Sequence, residues 1–187
     1  MVAEAIATEV TVREVTGVGS EVAHSLAGKY MTFKLANEEY GLEILKVREI
    51  IGLMDITRVP RTRDDIRGVI NLRGRVIPVV DLRIRFGMEP MEATDQTVII
   101  VVQCQVGSRD LTIGILVDQV LEVLNIAEKQ IEPPPNFGAG AVDNCFILGV
   151  GKSERRVIFL LDIARVLIEG ELAGSMDESC NRQIQEQ

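Results

Sequence analysis

The chain reads as an all-β protein with short helices, built as two copies of one small unit. Two observations predict this. From Lys29 onward, apolar and polar residues alternate in short runs broken by turn residues, which is the period of half-buried strands. The runs then repeat: Gly68-Val69 returns as Gly149-Val150, Arg75-Val76-Ile77 as Arg156-Val157-Ile158, and Val79-Val80-Asp81-Leu82 as Leu160-Leu161-Asp162-Ile163, all 81 residues further on. Upstream, Gly41, Ile44, Val47, Glu49 and Ile50 lie opposite Gly114, Val117, Val120, Glu122 and Val123 at an offset of 73. The difference marks an insertion in the second copy. Repeats of about 20–50 residues signal solenoids, but two copies this long fit two small domains of one design better.

Residues 1–27 show no sustained period and are expected to form a mobile tail. In the first unit, 28–87, Tyr30, Thr32 and Lys34 alternate with Met31, Phe33 and Leu35. An Asn37-Glu38-Glu39 turn and Tyr40, Leu42 and Ile44 follow, completing a hairpin. Val47 to Gly52 and Ile56 to Pro60 continue as extended pieces, and Thr62, Asp64 and Asp65 suit the cap of one helical turn. Gly68–Leu72 and Arg75–Val80 form a second hairpin around Asn71-Leu72-Arg73-Gly74. Pro78 inside it predicts a strand edge or bulge, because proline cannot donate to a ladder. Asp81 and Asp162 each open a short apolar segment closed by Gly87 or Gly170, the signature of N-caps rather than of a catalytic pair.

Residues 88–96, with Pro90 and three acids, read as the linker. In the second unit, 97–168, Val98–Val102 is too apolar to alternate and should be buried on both faces. The insertion is Pro133-Pro134-Pro135-Asn136-Phe137-Gly138-Ala139-Gly140, where prolines stiffen the entry and glycines free the exit, so Phe137 would stand on a prominent loop or cover a barrel end. Residues 169–187 turn polar and read as a solvated tail. The copies part company at one turn. Asn71-Leu72-Arg73-Gly74 lies opposite Lys152-Ser153-Glu154-Arg155, and function should be sought where the copies differ.

With 187 residues and 47% apolar content, there is material for a sizeable core. No signal-peptide pattern opens the chain and no apolar run approaches the ~18 residues of a membrane span, so a cytoplasmic location is expected. Cys104, Cys145 and Cys180 show no CxxC spacing, and the first two should be reduced, buried thiols. A net charge of −8 argues against nucleic acid and favours protein partners. The single histidine, His24, lies in the tail, so histidine-based catalysis or metal binding has no centre. No HExxH, GxSxG, Walker A or dinucleotide glycine loop occurs, and Glu43, Glu49, Asp81 and Asp118 are not brought together by strand geometry. No enzyme, cofactor or metal is implied; a binding or scaffold module is.

Tyr40-Gly41-Leu42-Glu43-Ile44-Leu45-Lys46-Val47-Arg48-Glu49-Ile50, then Arg67-Gly68-Val69-Ile70-Asn71-Leu72-Arg73-Gly74, then Pro78-Val79-Val80-Asp81-Leu82-Arg83, together resemble the CheW family of bacterial chemotaxis coupling proteins. The resemblance covers about residues 28–168 in order. It implies two SH3-like five-stranded barrels about a pseudo-twofold, and a non-enzymatic adaptor joining the tip of methyl-accepting chemoreceptors to the regulatory domain of the histidine kinase CheA. A detached kinase regulatory domain or an adaptor of a non-taxis pathway would resemble it too, although no ATP-binding or phosphoacceptor segment is present. By resemblance, the receptor surface falls on Val47, Glu49, Gly68, Arg73 and Val98, with Glu49 holding Arg73 in place. The kinase contacts fall on Phe137 and Val120. An acid often precedes the loop aromatic in the family, whereas here the residue is Asn136.

Overall fold

The computed structural model describes residues 25–106, 109–134, 146–153 and 155–168. Most of both predicted tails, together with Phe137, Cys145, Gly170 and Cys180, lies outside them. The strands are β1 Gly28–Leu35, β2 Glu38–Glu43, β3 Val47–Gly52, β4 Ile66–Leu72, β5 Arg75–Asp81, β6 Val98–Val106, β7 Arg109–Val117, β8 Gln119–Ile126, β9 Ile131–Glu132, β10 Ile147–Ser153 and β11 Arg156–Leu161. Two short helices, α1 Leu82–Arg85 and α2 Ile163–Ile168, follow β5 and β11. The class is all-β with short helices, as the alternation predicts.

The duplication is visible in the backbone, but the sheets do not divide along the 88–96 linker. One sheet runs β8-β1-β2-β11-β10-β9 and the other β3-β6-β7-β5-β4. Each therefore takes its first hairpin from one copy and its remaining strands from the other. Exchanging the copies turns one order into the other, β9 aside. The joints match: β5 and β7 run parallel with Val79 opposite Gly114, and β2 and β11 run parallel with Gly41 opposite Leu160. The irregularities match as well, since the register slips at Ile66/Gly68 in one hairpin and at Ile147/Gly149 in the other. The division into barrels 28–87 and 97–168 needs correcting on this point. Alternation states which face a strand buries and is silent about its neighbour, so a reciprocal exchange leaves no local trace.

Each sheet rolls up around its own cluster. Tyr30, Ile126, Ile131, Ile158 and Leu160 fill the first barrel; Ile70, Ile77, Val79, Ile99, Val101 and Leu116 fill the second. Between them lies the main core, with Met31, Phe33, Leu35, Leu42, Leu82, Ile100, Val102, Ile115 and Val166. Strand β6 feeds both, because Ile99 and Val101 point one way and Ile100 and Val102 the other, and all four are buried. The predicted two-faced burial is what is found. Fully burying one such side chain contributes about 1.5–3 kcal/mol. Cys104 joins the main core, and burial raises the pKa of its thiol.

Both predicted caps form. Asp81 accepts from the amides of Arg83 and Ile84 at 2.9 and 3.4 Å, and Asp162 from those of Ala164 and Arg165 at 3.0 and 3.3 Å. Pro78 is tolerated for a different reason from the one predicted. Strand β5 is interior, flanked by β4 and β7. Its two-residue turn makes Leu72–Arg75 the hydrogen-bonded closing pair, so Val69–Pro78, three pairs on, is a non-hydrogen-bonded one. The proline nitrogen faces away from β4, and the ladder to β7 begins only at Val79.

Residues 62–65 form a turn rather than a helical cap. The Ile66 amide donates to the Arg63 carbonyl at 3.0 Å and the Thr62 hydroxyl to the Val59 carbonyl at 3.0 Å. Asp65 is buried there between two guanidiniums. Arg63 grips it bidentately at 2.9 and 2.8 Å, and Arg85 reaches it at 3.1 Å while also donating to the Val166 carbonyl of α2. The Arg63 hydrogen bond, outweighing burial, holds the Asp65 carboxyl below its usual pKa.

Candidate functional site

Strand β3 is an edge, and four of the five predicted receptor-contact residues lie around it or on the turn facing it. The 3₁₀ turn Ile44–Lys46 leads in, leaving Leu45 84% exposed. Val47 stands opposite Val102 and Ile50 opposite Ile100, on the main-core side of the sheet. Between them the register slips, and the extra residue turns Glu49 opposite Val101, toward the second barrel. Val98, opposite Gly52, is on the same side as Val47, and both are half-buried against the main core. The outcome is an apolar strip of Val47, Ile50 and Val98 on one side of the edge, with the exposed Leu45 at its entry and Glu49 on the other side.

The β4–β5 turn delivers the cation. Arg73 and Gly74 both have positive φ, 50° and 83°, the requirement of the tight turn whose twist suits a hairpin. Asn71 Oδ1 accepts the Gly74 amide at 2.9 Å and fixes the turn. Arg73 Nη2 meets Glu49 Oε2 at 2.9 Å, joining the two edge strands of the barrel. The Arg73 side chain remains 79% exposed, so the pair contributes only ~0.2–1 kcal/mol to folding. Its guanidinium is thus oriented but not consumed. Glycine or asparagine would fit the backbone better than arginine.

Gly68 is buried and contributes shape. Its φ is +141°, and a Cβ placed on it would lie 2.2 Å from the Thr57 carbonyl oxygen. The absence of a side chain lets residues 56–58 cross close over β4, where Thr57 and Val69 exchange hydrogen bonds of 2.9 and 2.8 Å. In the other barrel β9 crosses β10 at the matching place, with Glu132 opposite Val150. Val120, predicted for the kinase contact, occupies in β8 the place that Val47 has in β3, half-buried against the main core. Phe137 lies outside the described residues.

The contribution of Leu45 was missed, although a leucine at the turn before an edge strand, with no alternation to bury it, is a readable signal. Among the described residues no cluster of His, Cys, Asp or Glu could hold a metal, and no helix is long and apolar enough to cross a membrane. What the edge presents is an apolar strip, and beside it an oriented guanidinium.

Comparison with known proteins places this architecture. The family model of the CheW-like domain matches residues 29–171. The chain is 39% identical over 155 residues to the chemotaxis protein CheW of Klebsiella aerogenes, covering 82% of this chain and 90% of the relative. It is 35% identical over 139 residues to CheW of Bacillus subtilis, covering 74% and 86%. The crystal structure of the scaffolding protein TtCheW from Thermoanaerobacter tengcongensis is similar with a TM-score of 0.66 at 36% identity, over 75% of this chain and 92% of that one. On family model, relatives and fold alike, the chain belongs to the CheW-like family, whose members are non-catalytic chemotaxis scaffolds.

Proposed function

We propose that this chain is the coupling adaptor of a chemosensory assembly, holding the cytoplasmic tip of a methyl-accepting receptor at the β3 edge and the regulatory domain of a CheA-type histidine kinase at the other barrel. It works in the cytoplasm and reaches the membrane through its partners. The observation that carries the receptor half is the Glu49–Arg73 pair beside the apolar strip. A helical hairpin is gripped by an apolar groove with a flanking charge, and a planar guanidinium suits carboxylate or carbonyl acceptors on the partner. Gly68 serves by shaping the wall of that surface. Val120 and Phe137 supply the kinase side, with Phe137 as the aromatic anchor.

Arg73→Ala should reduce affinity for a receptor-tip fragment at least about tenfold, or ~1.4 kcal/mol, with thermal stability almost unchanged. Wild-type affinity in that titration would remove the turn from the site. Added to cognate kinase and receptor, the intact chain should raise kinase autophosphorylation. Phe137→Ala should weaken kinase assembly without unfolding the protein, whereas a stability loss of ~3 kcal/mol or more would make Phe137 a core residue.

A further inference from the structure

Three non-glycine residues among those described have positive φ: Ala36, Arg61 and Arg73. Two of the three are arginines, and they lie on the loops at the two ends of β4. An L-residue in the left-handed region is disfavoured, and a long side chain gains nothing there that glycine or asparagine would not give. Such a conformation persists when the surroundings impose it, and it is a pointer to use. For Arg73 that use is the surface described above.

Arg61 has the same backbone signature with even less local reason. Its side chain is exposed, and among the described residues its guanidinium has no acceptor. The arginines that follow differ, since Arg63 is spent on Asp65 and Arg67 lies 3.9 Å from Asp81, while Arg58, exposed like Arg61, lacks its positive φ. The loop is nonetheless pinned. Thr57 is bonded to Val69 on one side, and on the other Asp65 is held by Arg63 and Arg85, with its carbonyl accepting the Asp81 amide at 2.7 Å. A cation on a braced loop loses little conformational freedom on binding.

We propose that Arg61 is a second cationic contact for the same helical partner, engaging a carboxylate about one β4 length away from the group that Arg73 meets. This rests on the proposed receptor surface. The seven residues of β4 rise ~3.3 Å each, or roughly 23 Å in all, which is about four turns of a helix laid along the strand. A helix with acids on one face at that separation would meet both guanidiniums. Because the whole chain carries a net charge of −8, its overall field repels such a partner, and attraction has to come from local cations of this kind.

The test titrates a receptor-tip fragment against the full chain carrying Arg61→Gly, Arg61→Asn or Arg73→Ala. Both Arg61 variants should bind at least about fivefold more weakly, with a shallower dependence on salt, while melting at or above the wild-type temperature because the strained backbone is relieved. Wild-type affinity in both Arg61 variants, alongside a weakened Arg73→Ala, overturns this inference and leaves the Arg73 surface standing. Weakened Arg61 variants beside an unaffected Arg73→Ala support Arg61 and remove Arg73. If all three bind as wild type, both are wrong.

Discussion

The β4–β5 and β10–β11 turns occupy matching places in the two barrels, yet the acid beside each finds its arginine in a different place. In the β3–β4 barrel, Glu49 is met from the turn by Arg73, which stays mostly in solvent. In the other, Glu122 stands where Glu49 does, but its partner is Arg156, inside β11, at 2.8 Å. Arg156 also lies 3.5 Å from the half-buried Glu39 of β2, the strand donated by the other copy. One copy has turned the acid–arginine pair into a joint between halves; the other has left it at the surface. A second difference runs the other way. Asp65 and Arg85 form a buried ion pair, whereas the positions 81 residues on are Phe146 and Val166, both apolar. Phe146 stacks on Phe86 with ring centroids 5.0 Å apart, and Arg85 donates to the Val166 carbonyl, so the unlike residues meet across the pseudo-twofold. The copies thus differ at this turn and at the axis, where two identical side chains would compete for one space.

The sharpest break of this comparison is at the paired glycines. Gly68→Ala should destabilise by about 3–5 kcal/mol, through both positive φ and backbone collision. Gly149→Ala, whose nearest contact would be at 3.0 Å, should lose clearly less, and urea denaturation of the two decides it. Equal losses would mean that the crossing over β4 is no tighter than that over β10.

Next in size is Asp65→Asn, which removes the carboxylate that Arg63 and Arg85 both meet in a buried setting, at a cost of about 3 kcal/mol. The pH dependence follows from the depressed folded pKa of Asp65. Its stabilisation is complete above the unfolded carboxylate pKa and is lost as pH falls through the lower folded value. Wild type should therefore lose more stability than Asp65→Asn between about pH 5 and the acid limit, so that the two converge; parallel curves would show that Asp65 titrates normally. Smaller again is Arg156→Ala, expected to lose ~1–2 kcal/mol by abandoning Glu39 and Glu122, while receptor-tip affinity is unchanged. Arg155→Ala, at the turn itself, should alter neither stability nor affinity.

The caps at Asp81 and Asp162, the hairpins and the two-faced burial of β6 were legible because each depends on neighbours in sequence. The Glu49–Arg73 pair was legible only through family resemblance, since a bulge and a turn 24 residues apart must cooperate to make it. Pro78 was read correctly as special, but its tolerance depends on hydrogen-bond parity counted from a turn, which composition does not display. The Asp65–Arg85 pair went unread, although the internal alignment carried a sign of it: two charged positions of one copy become apolar together in the other.

The reciprocal exchange of hairpins has a consequence for how the chain is made. Synthesis makes β1 and β2 before every other described strand, yet β11, the parallel partner of β2, is the last of them. The other barrel can close once β7 has appeared, at Val117; the one containing β1 must wait for Leu161. At ~5–20 residues per second this leaves Phe33, Leu35 and Leu42 without their final neighbours for several seconds on the ribosome. Nascent-chain capture with release points after Val117 and after Leu161 would show protease resistance arriving in two steps, the β1–β2 hairpin being the last piece to become secure.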